Sequence, residues 1–220
     1  MHVLALVTQK GGTGKSSLAV SLAVAAQEAG LRACLLDIDP QGTASEWFKR
    51  RKAAHPAVTA ITSTSLYARI YQLDQEGFDL VIVDTPGADS SAASAAMREA
   101  SFCLIPVRPS IADIEATKPT LRYLSDRSKP FAFVLNQCPV GGRTSRTSNA
   151  YRALQLIGHV CEPTLALRAD HMDAMMEGLG VTERAPGGKA AAETRALFDW
   201  VLERMTHADA RETPHIDAAE

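Results

Sequence analysis

The segment Gln9-Lys10-Gly11-Gly12-Thr13-Gly14-Lys15-Ser16-Ser17 constrains this chain more than any other. It lies between an apolar, strand-forming run, Val3–Thr8, and a helix-forming run from Lys15 to Ala29. Glycine lets the backbone turn tightly enough to aim successive N–H groups inward at an anion. The helix that follows adds its dipole and its unpaired N–H groups. Lys15 supplies a cation for the β- and γ-phosphates of a nucleotide, and the Ser16 hydroxyl is suited to ligate Mg²⁺. A chance glycine turn before a core helix is the competing reading, and strand, loop and helix standing in order argue against it. The general pattern Gly-x-x-x-x-Gly-Lys-Ser/Thr is not met to the letter, because Gln9 holds its first glycine position. What stands instead is KGGTGKS, with an added Lys10 four residues before Gly14.

Beyond this loop, apolar runs alternate with helical patterns. Ala33–Asp37, Val58–Ile61, Leu80–Asp84, Phe102–Val107 and Phe131–Asn136 read as strands, with a short one near Val160. Helices are predicted over Ala44–Ala54, Leu66–Gln75, Ser90–Ala100 and Asp113–Leu124, and near Ser148–Leu156, His171–Glu177 and Ala190–Met205. Strands that are apolar throughout and separated by helices belong to a sheet covered on both faces. The predicted fold is therefore α/β: a doubly wound, mostly parallel sheet in one domain over residues 1–206. The segment His207–Glu220 reads as an acidic, flexible tail.

Composition limits the function classes. With 46% hydrophobic and 22% charged residues in a chain of 220, this is ordinary globular protein. A net charge of −2 excludes a globally basic nucleic-acid binder and leaves a local basic patch open. No apolar run approaches the ~18 residues of a membrane span. The first residues lead into a strand rather than a signal peptide. Cys34, Cys103, Cys138 and Cys161 are widely spaced with no CxxC, so reduced, buried thiols in a cytosolic protein are expected. The six histidines form no metal-binding spacing, and no metal beyond Mg²⁺ is assigned.

Asp39 and Asp84 both fall at strand ends, at the carboxyl edge where a doubly wound sheet binds its ligand. Nucleotide hydrolysis asks for one carboxylate to hold Mg²⁺ through its water shell and one to orient the attacking water. Asp37 fits a structural role better than a direct one. Gly87, after Thr85-Pro86, can pivot a loop that a γ-phosphate orders and hydrolysis releases. Asn136 can offer its amide to an adenine edge, or be a plain loop asparagine. A GTPase would usually place an aspartate three residues further on, where Pro139 stands, and this favours ATP.

Together these segments carry a resemblance. KGGTGKSS resembles the deviant Walker A motif of the ParA/MinD ATPases. Leu35-Leu36-Asp37-Ile38-Asp39-Pro40-Gln41-Gly42 is similar to the family's second motif, and Leu80-Val81-Ile82-Val83-Asp84-Thr85-Pro86-Gly87 to its Walker B strand and switch loop. Ile105-Pro106-Val107-Arg108-Pro109-Ser110 and Val134-Leu135-Asn136 also fit family positions. The likeness spans roughly residues 1–205 and is greatest for short ParA proteins without a helix-turn-helix domain.

The resemblance implies a slow, partner-stimulated ATPase using ATP and Mg²⁺. Gly11, Gly12, Thr13, Gly14, Lys15, Ser16, Ser17 and Asn136 would hold the nucleotide, and Ser16 with Asp84 the metal, Asp84 through water. Asp39 would position the water, and Lys10 would cross a dimer to the partner's nucleotide. Asp84, Thr85, Pro86 and Gly87 would form the switch. It further implies an ATP-dependent homodimer on nonspecific DNA, with a ParB-like or cargo-adaptor partner. Its place would be the cytoplasm, on the nucleoid when ATP is bound. Arg143, Arg146, Arg168, Lys189 and Arg195 are the candidate DNA contacts, each also readable as solvated surface.

Rival functions differ by visible features. A MinD-like membrane switch needs a basic-apolar C-terminal helix, whereas His207–Glu220 is acidic with Ile216 its only large apolar residue. A nitrogenase-type reductase needs a cysteine soon after the switch aspartate, and Asp84–Ser101 has none. A small-molecule ATP-dependent enzyme on the same fold is opposed by Lys10 and the Pro40-Gln41-Gly42 segment. The resemblance implies a switch that partitions or positions a cargo, and whether that is a plasmid, a chromosome or a protein complex depends on a partner encoded elsewhere.

Overall fold

A computed structural model describes residues 1–87, 91–141 and 144–212, the last five of them by backbone alone. Six strands form one sheet: β1 His2–Leu6, β2 Ala33–Asp37, β3 Ala57–Ala60, β4 Leu80–Asp84, β5 Phe102–Val107 and β6 Phe131–Leu135. Their spatial order is β3-β2-β4-β1-β5-β6, and every neighbouring pair is parallel.

The strands are apolar on both sides because both faces are covered, which is what uninterrupted Val/Ile/Leu runs require. On β1, Leu4 and Leu6 enter one core layer while Val3 and Ala5 enter the other. On β4, Leu80 and Ile82 alternate in the same way with Val81 and Val83. One layer is closed by α1 (Lys15–Glu28), α2 (Thr43–Arg50) and α10 (Lys189–Glu212), through residues such as Leu22, Trp47 and Phe198. The other is closed by α3 (Leu66–Gln75), α4 (Ser91–Glu99), α6 (Lys118–Ser125) and α7 (Ser145–Gln155), through Leu73, Ala96, Leu124 and Leu154. Helix α1 is buried from Leu18 to Ala26 because it lies between the sheet and other helices, and its alanines permit that close approach. Each fully buried leucine contributes about 1.5–3 kcal/mol.

Several elements depart from the sequence pattern. The helix expected over Asp113–Leu124 is two: α5 (Ile111–Glu115) and α6, which has Pro119 in its first turn. Proline has no N–H to continue the earlier helix, but it is tolerated at a helix start. Helix α2 stops at Arg50 because Arg51 is extended and its guanidinium turns inward, 2.7 Å from Glu183. The strand expected near Val160 is a single bridge to Phe133. Helix α7 begins earlier than expected, at Ser145, with the Thr144 hydroxyl accepting from the Thr147 N–H at 3.3 Å. The helix expected near His171–Glu177 is present as α8 (Ala169–Glu177), and one unexpected helix follows it, α9 (Val181–Arg184), too short for its periodicity to show. Helix α10 runs to Glu212, while 213–220 lie outside the described residues. All four cysteines are free and buried, and burial raises their thiols, Cys34 to about 11 and Cys103 to about 12.

Candidate functional site

The sheet register places the site. Asp84, at the end of β4, stands beside Leu6 of β1 on one side and Asp37 of β2 on the other. The glycine loop leaves β1 at that level and turns into α1, so Lys15 and Ser16 open the helix directly above the carboxyl end of β4. Gly14 has φ +88, and a Cβ there would stand 2.6 Å from Asn136 Nδ2. Only glycine satisfies both conditions.

Asp84 is fully buried, and neither of its carboxylate oxygens accepts a hydrogen bond among the described residues. Burial raises its carboxyl to about 7, and Asp37 and Asp39 add to the rise. The nearby Ser16 hydroxyl and Lys15 ammonium pull it partway back without closing a hydrogen bond of ordinary geometry. Lys15 is 7% exposed, and burial lowers its ammonium against the opposing pull of Asp84 and Asp39. A dry lysine, a serine hydroxyl and an orphaned carboxylate in one place form a set that a phosphate–magnesium pair completes. The donor chemistry therefore fits the expected group.

Around these residues lies a cleft of about 520 Å³, lined by Gly11, Gly12, Lys15, Ser16, Asp39 and Pro86 among others. Asp39 also accepts the Gln41 N–H at 2.9 Å, which fixes the turn after β2. Asp37 is turned away to hold the N–H and hydroxyl of Ser45, at 2.8 and 2.7 Å. Thr85 donates its hydroxyl to the Leu6 carbonyl at 2.6 Å and ties the segment after β4 to β1. A Cβ on Gly87 would stand 2.9 Å from Gly11 Cα and 3.4 Å from Lys15 Nζ, so the two loops meet over the cleft.

A second cavity, about 300 Å³, shares Gly14 and Ser17 with this cleft and extends toward Leu165, Leu167, His171 and Met172. Asn136 stands at their junction. Its Nδ2 donates to the Thr13 carbonyl at 2.8 Å and its Oδ1 accepts from the Gln137 N–H at 2.9 Å, so its amide braces the glycine loop. Gln137 adds a donation from Nε2 to the Gly12 carbonyl at 3.0 Å, a bond between residues 125 apart that the sequence pattern does not reveal.

Lys10 is not among the residues that line the cleft. Its Nζ is 2.9 Å from Oδ2 of Asp113, which is 4% exposed. Arg108 Nε holds the other oxygen at 2.9 Å, and the Ser110 hydroxyl donates closely to Oδ2. Burial alone would raise this carboxyl, but the bonds from Ser110, Arg108 and Lys10 outweigh it and keep it below its ordinary value. Sequence reasoning missed Asp113. The spacing Ser110-x-x-Asp113 signals a helix start, not a partner for a lysine far away in the chain.

The basic candidates are not gathered into one surface. Arg143 lies outside the described residues. Arg146 is exposed on α7, over one face of the sheet, whereas Lys189 is exposed at the start of α10, over the other. Neither makes an ion pair among the described residues. Arg195 donates to the Pro186 carbonyl at 2.8 Å, and Arg168 is paired with Glu193 at 2.6 Å. Among the described residues no helix is long and apolar enough to cross a membrane.

Comparison with known proteins adds to this geometry. Residues 4–193 match the family model described as the CobQ/CobB/MinD/ParA nucleotide binding domain. The maintenance of carboxysome distribution protein A of Halothiobacillus neapolitanus is 30% identical over 199 residues, covering 86% of this chain and 91% of the relative. The protein of that description from Gloeobacter kilaueensis is 32% identical over 207 residues, covering 93% and 94%. Among solved structures, the ATP complex of an aspartate-to-alanine variant of Cyanothece McdA has a TM-score of 0.75 at 16% identity over 96% of each chain, a likeness of fold.

Proposed function

Because the chain belongs to the CobQ/CobB/MinD/ParA nucleotide-binding family, we propose that it is an ATP-driven positioning switch. In this reading ATP joins two subunits into a dimer, the dimer holds nonspecific DNA, and hydrolysis releases it. The observation that carries the reading is the buried, unpartnered Asp84 carboxylate beside Lys15, under a glycine loop whose added Lys10 is paired with Asp113. The relatives named for carboxysome distribution support a cargo-positioning role. In this reading an adaptor protein would set the cargo and stimulate turnover.

The division of labour follows from position. The loop amides and Lys15 bind the phosphates in a poorly hydrated cleft, where a charge-assisted contact is strong. Ser16 and Asp84 would hold Mg²⁺, Asp84 through water, and the ion would neutralise phosphate charge. Asp39, at the cleft wall, would orient the attacking water. Lys10 is paired with Asp113 rather than turned into the cleft that Lys15 enters, and crossing to a partner's triphosphate would give it a role like an arginine finger acting in trans.

The decisive experiment pairs calorimetry with DNA retention. The wild type should bind ATP–Mg²⁺ and retain DNA of any sequence only with ATP. Lys15→Ala should abolish both. ATP affinity equal in mutant and wild type would overturn the site.

A further inference from the structure

The wall of the second cavity has an unusual suspension. Its backbone, from Leu165 to Arg168, hangs from the end of β6: the Leu165 N–H donates to the Leu135 carbonyl at 2.9 Å, and the Leu167 N–H to the Cys138 carbonyl at 2.8 Å. The Ala166 N–H between them points the opposite way, as alternation in an extended segment requires. It meets Oε2 of Glu193 on α10 at 3.1 Å. Glu193 also takes Arg168, with Nη2 at 2.6 Å from Oε1 and Nε at 3.3 Å from both oxygens. One carboxylate thus ties the wall, the residue that opens α8 and the first turns of α10.

The pair is well sheltered, with side chains 18% and 22% exposed. A forked arginine–carboxylate contact fixes orientation as well as distance. The cavity it borders is predominantly apolar, through Leu18, Leu165, Leu167 and Met172, and it opens onto the phosphate cleft at Gly14 and Ser17. A flat heterocycle attached to phosphates in the cleft would lie there. His171, on the first turn of α8, borders the same space, and burial holds its imidazole below the ordinary value.

We propose that Arg168 and Glu193 are positioning residues for a nucleobase: they hold the 165–168 wall against β6 and link base occupancy to α10. This rests on the nucleotide reading above and gives Arg168 a role inside the nucleotide site rather than on DNA. Neither residue lines the cleft assigned to the phosphates, so the pair would act on the base-dependent part of binding alone.

The test compares Mg²⁺-dependent binding of ATP and of inorganic tripolyphosphate by calorimetry, in wild type, Arg168→Gln, Glu193→Gln and the charge-swapped Arg168→Glu/Glu193→Arg. Removing the forked pair should weaken ATP about tenfold, leave tripolyphosphate within about twofold of wild type, and be partly restored by the swap. DNA retention measured at saturating ATP should stay at the wild-type level. Arg168→Lys, which keeps the charge and the fold but not the fork, should fall between wild type and Arg168→Gln. Unchanged ATP affinity with abolished DNA retention would overturn the proposal and make Arg168 a DNA contact. Equal weakening for ATP and tripolyphosphate would overturn it in favour of a general structural role. A wild type that binds neither ligand would overturn the nucleotide reading itself, and this inference with it.

Discussion

Lys10 Nζ and Asp113 Oδ2 are 2.9 Å apart, which anchors the loop's added lysine to its own subunit by a nearly buried carboxylate. The lysine is thereby held at the rim of the cleft, while Lys15 lies within it. Lys10→Ala should keep ATP binding within about tenfold, ~1.4 kcal/mol, and lose ATP-induced dimerisation, hydrolysis and DNA retention together. Sedimentation with a slowly hydrolysed ATP analogue decides this. A normal dimer with normal turnover would make Lys10 a bystander.

The Asp113 carboxyl lies below its ordinary value, so its stabilising effect is present above the unfolded-state pKa and fades as pH falls through the folded one. Asp113→Asn should cost about 1–3 kcal/mol at pH 7, and progressively less in acid. Denaturant unfolding across the acid range measures it. A penalty independent of pH would mean that the ion pairs contribute nothing.

Asp84 behaves in the opposite sense. Its folded-state value of about 7 lies above the unfolded one, so ionisation at higher pH destabilises the ligand-free fold. Asp84→Asn should therefore raise the melting temperature of the ligand-free protein at pH 8, by up to about 4 kcal/mol of stability, and leave it unchanged near pH 4. Mg²⁺ with ATP should then protect the wild type far more than the variant. Identical melting curves at pH 8 would show that the carboxylate is stabilised by something else.

Asp39→Ala should bind ATP, dimerise and fail to turn over, because the phosphate cradle is intact while the water-orienting carboxylate is gone. Light scattering run beside phosphate release tests both halves. A variant that remains monomeric, or that hydrolyses at the wild-type rate, would remove Asp39 from this role.

On DNA, retention should be insensitive to sequence and steeply dependent on salt, since it rests on phosphate contacts. Arg146→Glu and Lys189→Glu should each weaken it on every DNA tested. Each should make the slope of log K against log salt shallower by about 0.9 for every DNA phosphate left unneutralised. Wild-type binding by both variants would move the basic surface elsewhere.

The elements most legible in the sequence are those whose information is local. Strands such as Ala33–Asp37 and Leu80–Asp84 follow from unbroken apolar runs, and the glycine loop follows from its own spacing. What escaped is carried by groups distant in sequence. Arg51 and Glu183 are 132 residues apart, yet their contact sets where α2 ends. Lys10 and Asp113 are 103 apart, and no periodicity joins them. Arg168 reads in sequence as a candidate DNA contact or a solvated arginine, because Glu193 is brought to it only when α10 docks. Apolar patterning specifies layers, whereas partners of buried charges are specified by the packing of those layers.

The approach of Gly87 to Gly11 has a mechanical consequence. Where two segments touch through side chains, rotamer changes absorb a small displacement and nothing further moves. Here bare main chain faces bare main chain, so the seam has no cushion. On the nucleotide reading, a phosphate group seated against Gly11 would reach the end of β4 as a shift of backbone, with no side chain between to take it up.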